Sequence, residues 1–144
     1  ICDKRRVMKI KNIFDIAGRA MAAQMVRLNT ISSNLANAGA TTGDPETVYK
    51  PLKPEFKTQY SESVKKNGIS TVNVSKVVEL QKEPFKIFDP NHPLADGDGY
   101  IYKAPINVEE EMVDMMDASR QYQNNVEVLT TLKALTLKTI NLGK

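Results

Sequence analysis

Few side chains in this sequence could do chemistry, and none has the neighbours that chemistry needs. His92 is the one histidine in 144 residues, and it sits in the run Asp89-Pro90-Asn91-His92-Pro93. A general base has to be held against a nucleophile and oriented by a third group. A single histidine flanked by prolines in a turn sequence offers no such pairing and reads as a loop residue. Asp96-Gly97-Asp98-Gly99 resembles the opening of a calcium loop, but the third oxygen ligand and the distal glutamate of an EF-hand are missing, so a solvated turn is expected. Cys2 is the one cysteine, which rules out an intramolecular disulfide and a thiolate cage. There is no Gly-rich phosphate cradle. The expectation is a protein that is not an enzyme, with no cofactor, no metal and no small-molecule substrate.

The polar residues of more interest lie in or beside apolar helical stripes: Gln24, Asn34, Asn37, Ser119 and Asn125. There an amide costs stability but fixes register if it is paired. In the N-terminal part, apolar or small residues recur in 3,4 spacing at Phe14, Ala17, Met21, Leu28, Ile31 and Leu35, with Gln24 the polar member. In the C-terminal part they recur at Val108, Met112, Met115, Ser119, Tyr122, Val126 and Leu129, after which the stripe slips to Leu132, Leu135 and Leu142. Each stripe takes about two positions in seven, the width of a coiled-coil seam rather than of a core-facing helix. The slip suits a helix that changes partners along its axis. These stripes, with the amides Asn34, Asn37 and Asn125, are the candidate subunit interface.

The elements that carry the stripes have local start and stop signals. The first helix is expected from Asn12, as cap, to Asn37, with Ala38 and Gly39 as a left-handed stop. Gly18, among Ala17, Ala20, Ala22 and Ala23, marks a close helix contact. The second helix is expected after Pro105, with Asn107 as cap, Glu109, Glu110 and Glu111 in the positive first turn, and an end near Leu142 and Gly143. Between them the period changes, and strands are expected near 48–60 (weakened by Pro51 and Pro54), 70–80, 84–88 and 99–103. Asn67-Gly68 and Asp96-Gly97-Asp98-Gly99 supply the turns. The fold class is therefore α+β, with long end helices paired as a coiled-coil layer and a small β-rich module without a deep pocket. The parts are a basic extension (1–11), the first helix (12–38), the β module (39–106) and the second helix (107–144).

Lys4, Arg5, Arg6, Lys9 and Lys11 against Asp3 put +4 into the first eleven residues, so a chain of net charge +3 is about neutral elsewhere. No basic face runs through the body. Without interleaved aromatics the basic tip does not make a nucleic-acid site. Met8 is an alternative start, which would make the first seven residues an upstream extension. No apolar run long enough for a membrane span occurs, and the N-terminus lacks the pattern of a cleaved signal peptide. Without the helical ends only about seventy residues remain, a size at which a single core is marginal, so the ends must find each other or neighbours.

Two ordered motifs then carry a resemblance. Ser32-Ser33-Asn34-Leu35-Ala36-Asn37-Ala38 closes the first helix, and Asp117-Ala118-Ser119-Arg120-Gln121-Tyr122-Gln123-Asn124-Asn125-Val126 lies in the second. Together they resemble the two ends of the bacterial flagellar axial family, the rod and hook proteins. Asp89-Pro90-Asn91-His92-Pro93-Leu94-Ala95 with Gly99-Tyr100, and Asn107-Val108-Glu109-Glu110-Glu111-Met112-Val113, are similar to its proximal-rod members. Asn124 departs from the alanine usual there, and Pro45 to Lys82 matches only in β character. The resemblance implies a structural rod subunit of the flagellar basal body that assembles helically and transmits torque, with the end helices as the inner layer of a tube and the β module outside. It implies as partners other copies, neighbouring rod proteins of the FlgB, FlgF, FlgG and FliE types, the MS-ring protein FliF and the flagellar type III export apparatus. It also implies a periplasmic location reached without a cleaved signal peptide. A free coiled-coil adaptor or another type III secretion axial component is the alternative on the same stripes.

Overall fold

A computed structural model describes residues 2–59 and 71–141, and the side chains of 12–57 and 73–141. The chain is α+β. Helix α1 spans Cys2–Asn37 and helix α2 Val108–Asn141. Between them lie β1 (Thr41–Thr42), β2 (Leu52–Gln59), β3 (Thr71–Glu79), β4 (Phe85–Phe88) and β5 (Tyr100–Lys103).

Helix α1 begins ten residues before the expected cap. Asn12 is half-buried inside the helix and caps nothing, and the basic segment forms its first turns. No glycine or proline precedes Gly18, and Lys and Arg are good helix formers, so nothing local stops the helix at Asn12. At its other end α1 stops at Asn37 as expected, but not by a left-handed glycine, because Gly99 (φ 80°) alone among the described residues has positive φ. The end is tightened instead. The Ala38 amide donates to the Leu35 carbonyl and the Ala40 amide to that of Asn37, while Asn37 Nδ2 donates to the Ser33 carbonyl at 2.8 Å. The start of α2 is as expected: Asn107 Oδ1 accepts from the amides of Glu109 and Glu110 at 3.1 and 3.4 Å. Leu142, Gly143 and the turn at Asn67-Gly68 lie outside the described residues.

Strands β2 and β3 form an antiparallel ribbon in register from Leu52↔Glu79 to Gln59↔Thr71, with a bulge at Glu55/Phe56. Pro54 is tolerated because each strand of a two-stranded ribbon keeps a free edge. The other sheet, in order β1-β5-β4, is antiparallel throughout. Its hairpin turns at Asp96-Gly97-Asp98-Gly99, where Asp96 Oδ1 accepts from the amides of Asp98 and Tyr100 at 3.0 and 2.8 Å. The two-residue strand β1 carries too little pattern to be read from sequence. Gly43, just after it, is required: a Cβ there would lie 2.5 Å from the Leu94 carbonyl oxygen.

The helices run antiparallel, since Gln24, Arg27 and Asn34 of α1 meet Gln121, Asp117 and Asp114, and Glu111 of α2 in reverse order. The ribbon packs on α1, which is thus covered by two neighbours. A small core closes the junction, where Ala38, Val48, Ala104 and Ile106 are buried with Tyr49 and Tyr102 packed against them. Ala17, Ala23 and Ala118 are buried, whereas a Cβ at Gly18 would meet nothing within 4 Å. Gly18 therefore makes no close contact within the chain, and the buried small residues of the helices are these alanines.

Candidate functional site

The residues that could do chemistry are used locally. His92 Nδ1 accepts from the Leu94 amide at 3.1 Å. Asp96 has both oxygens engaged, Oδ2 accepting from the Tyr102 hydroxyl at 3.2 Å. The backbone amide of Tyr100 is the main cause that holds its carboxyl below the usual range, with Asp98, Tyr102 and Lys86 adding to the effect and desolvation opposing it. Among the described residues no group of three or more His, Cys, Asp or Glu could hold a metal ion, and no helix is long and apolar enough to cross a membrane. An open cleft of about 410 Å³ between α1, β2 and the start of α2 is lined by Arg27, Lys53 and Lys82 as well as by Glu110, Glu111 and Asp114. Charges of both signs line it, with Arg27 and Asp114 paired across it at 2.9 Å, so it does not select a ligand of one charge.

The side chain that organises this junction is Asn34, 2% exposed. Its Nδ2 donates to the Leu52 carbonyl at 3.0 Å and to the Glu111 carboxylate at 3.2 Å. Its Oδ1 accepts from the Leu52 amide at 2.8 Å and the Tyr49 hydroxyl at 3.2 Å. With both backbone groups of Leu52 in hand, the amide acts as a one-residue strand neighbour that ties the start of β2 to α1 and to the first turn of α2. Burial pushes the Glu111 carboxyl above its ordinary value and Asp114 adds to the rise, while the Asn34 amide, Lys53 and Lys82 oppose it. Burial, with Glu111 and Glu79, also raises the Tyr49 phenol.

A second polar set runs along the helix pair. Arg27 donates to Asp114 Oδ1 at 2.9 Å and to Asp117 Oδ2 at 3.4 Å. Gln121 Nε2 donates to Asp117 at 2.8 Å, and Gln24 Nε2 donates to Gln121 Oε1 at 2.8 Å. Gln24 Oε1 is buried without a hydrogen-bond partner among the described residues. Arg27, Glu111, Asp114, Asp117 and Gln121 were not among the expected interface residues. The signal was an arginine in 3,4 step with Gln24 and Ile31, opposite two aspartates one turn apart.

The face of α2 turned to α1 differs from the expected stripe by one residue at every second position. Glu111, Met115, Ala118, Tyr122, Asn125, Leu129, Leu132 and Thr136 are buried or half-buried in unbroken 4,3 steps. The seam does not slip after Leu129. Met115, Tyr122, Asn125, Leu129 and Leu132 therefore face inward, and Ser119 is half-buried at the rim. Met112, Val126 and Leu135 are exposed at 56%, 41% and 56%. On α1, Gln24 and Ile31 lie on the seam, Phe14, Met21, Leu28 and Leu35 are half-buried beside it, and Asn37 caps its own helix. The phase goes with the polar contacts between the helices: Gln24 meets Gln121 and Asn34 meets Glu111, Arg27 reaches Asp114 and Asp117 at the exposed rim, and the small Ala118 is fully buried between them.

Comparison with known proteins meets this geometry at both helices. A family model described as flagella basal body rod protein matches residues 14–43. One described as the C-terminal part of flagellar basal body rod FlgEFG proteins matches residues 98–142. The chain is 43% identical over 137 residues to the flagellar basal-body rod protein FlgC of Salmonella typhimurium, a match covering 95% of this chain and 100% of the relative. It is 43% identical to FlgC of Escherichia coli O6:H1 and 41% identical to FlgC of Yersinia enterocolitica, with the same coverage. Each of these relatives is named as a flagellar basal-body rod protein. With two long antiparallel helices, a small β module between them and similarity along nearly the whole length, the chain belongs to the FlgC family of flagellar basal-body rod proteins.

Proposed function

We propose that the chain is a subunit of the proximal rod, assembling helically through its helix pair and transmitting torque from the motor across the periplasm. On this reading residues 12–38 and 107–144 form one helical domain whose pairing becomes a coiled-coil layer inside a tube. Residues 39–106 form the outer β module. The neighbours are other copies and rod proteins of the FlgB, FlgF, FlgG and FliE types, with the MS-ring protein FliF at the base. The subunit reaches the periplasm through the flagellar type III export apparatus without a cleaved signal peptide.

One observation carries this reading. Helix α2 already uses one face against α1, yet Met112, Val126 and Leu135 stand exposed elsewhere on it. A helix apolar on several sides is one that becomes buried on several sides. Full burial of such a side chain contributes about 1.5–3 kcal/mol, so these three add several kcal/mol per subunit that are available only in an assembly. Phe14, Met21, Leu28 and Leu35, half-buried in the single chain, extend the surface along α1, with Ser119 at the rim of the seam and the half-buried edges of the inward-facing Met115, Tyr122, Asn125, Leu129 and Leu132 beside it.

Met112→Asp tests it. The residue is exposed in the single chain, so monomer stability should stay within about 0.5 kcal/mol of the parent. A charge trapped at a buried contact costs several kcal/mol, so rod assembly and swimming should be lost. Normal swimming in a strain exporting normal amounts of this variant would overturn the placement. A discrete soluble oligomer in place of rods would favour a coiled-coil adaptor.

A further inference from the structure

The chain has six methionines, and the structure sorts them by access. Met112 and Met116 of α2 are 56% and 63% exposed and Met25 of α1 is 46% exposed, whereas Met21 and Met115 are half-buried. The side chain of Met8 lies outside the described residues. Met112 and Met116 stand one helical turn apart, about 6 Å along the axis, with the exposed Val113 beside them. Met115, next in sequence to Met116, faces α1 and carries the same thioether in a different setting. Oxidation of a thioether follows access, because the sulfur lone pair must reach the oxidant.

We propose that Met112 and Met116 form a site of reversible oxidation by hydrogen peroxide, open in the free subunit, and that oxidation there leaves the subunit folded but unfit for assembly. The proposal rests on the rod-subunit reading, which places Met112 in a contact, and adds a chemical control on that contact. In the reaction a sulfur lone pair attacks one peroxide oxygen; the S–O bond forms, the O–O bond breaks, and the peroxide is reduced to water as the thioether becomes a sulfoxide. Methionine sulfoxide reductases reverse it, with two thiols oxidised to a disulfide and the oxygen leaving as water. The sulfoxide is polar and chiral where the thioether was apolar and pliable. In the single chain both sulfoxides stay in water, so the contact between α1 and α2 is untouched. In a buried contact each brings a hydrogen-bond acceptor to a face made by Met112, Val113 and Met116, whose side chains hold no donor to meet it.

The test treats the full chain, in a Cys2→Ser background that removes thiol oxidation, with dilute hydrogen peroxide at neutral pH. Fragment-ion mass spectrometry of the digested chain then reads each methionine. Met112 and Met116 are expected to convert severalfold faster than Met115 and Met21, and purified methionine sulfoxide reductases A and B with dithiothreitol should return both to the thioether without denaturant. Met115 oxidised as fast as Met116, or sulfoxides repaired only in urea, would overturn the site. The consequence is read in cells carrying Met112→Gln/Met116→Gln, where a polar side chain of similar length stands in for the sulfoxide. Thermal unfolding of this purified variant and its export should match the parent while swimming is lost. A variant that unfolds well below the parent, or one that swims normally, overturns the consequence. If Met112→Asp abolishes swimming where the glutamine variant does not, the rod-subunit reading stands without this control; if both strains swim, both readings fall.

Discussion

Replacing Asn34 by leucine exchanges four hydrogen bonds for one buried apolar side chain, and the structure decides which effect wins. The Tyr49 hydroxyl and the Glu111 carboxylate belong to half-buried residues at the cleft and can turn to water. The amide and carbonyl of Leu52 both point at the position of Asn34, which is 2% exposed, so a leucine side chain there would stand between them and the water of the cleft. Leaving a buried polar group without a partner costs about 1–3 kcal/mol, so the two Leu52 groups together cost roughly 4 kcal/mol. Burial of the leucine returns about 1.5 kcal/mol, the lower end of its range, since the site is shaped for an amide. The net loss is therefore about 2–3 kcal/mol, which in a chain of this length lowers Tm by roughly 8 °C. Asn125→Leu should do the opposite. Asn125 is half-buried on the same seam, has no side-chain hydrogen bond among the described residues, and leucine there adds apolar contact at no polar cost. Thermal unfolding followed by circular dichroism measures both, and hydrogen exchange at the Leu52 amide reports whether β2 has come loose from α1. An Asn34→Leu chain as stable as its parent, or equal shifts in the two variants, would refute the assignment of Asn34 as the tie between the ribbon and the helices.

Two further outcomes are expected. Because burial raises the Glu111 carboxyl above its unfolded value, the folded state holds that proton more tightly; its contribution is fully favourable below the unfolded pKa and is lost as pH rises through the folded one. Glu111→Gln keeps an oxygen that accepts from Asn34 and removes the titration, so its urea midpoint should gain on the parent between about pH 4 and pH 7, and a constant difference across that range would count against the shift. Gly43→Ala places a Cβ 2.5 Å from the Leu94 carbonyl oxygen and should cost about 1–3 kcal/mol, while Gly39→Ala, which meets nothing within 4 Å, should be neutral or slightly stabilising in the same denaturation assay.

What the amino-acid sequence determined by itself is what local chemistry decides. Both long helices, the Asn107 cap, the stop at Asn37, four of the five strands among the described residues and the Asp96 turn each follow from residues within a few positions of one another. The family likewise was legible, because its motifs sit on those helices. The phase of the helix contact was not. Apolar residues lie on adjacent faces of α2, so a 3,4 pattern can be drawn through Met112, Ser119 and Val126 as well as through Glu111, Ala118 and Asn125. Only packing chooses between them, and in the second phase Ala118 is buried, Gln24 meets Gln121, Asn34 meets Glu111, and Arg27 reaches Asp114 and Asp117. The role of Asn34 was hidden for the same reason. Its decisive partner Leu52 is eighteen residues away, and a backbone group that must be satisfied leaves no mark on the type of residue that carries it. The apolar side chains left over by that choice of phase, Met112 and Leu135 among them, are exposed only because tertiary structure turned α2 by one residue and so set which surface remains for neighbours.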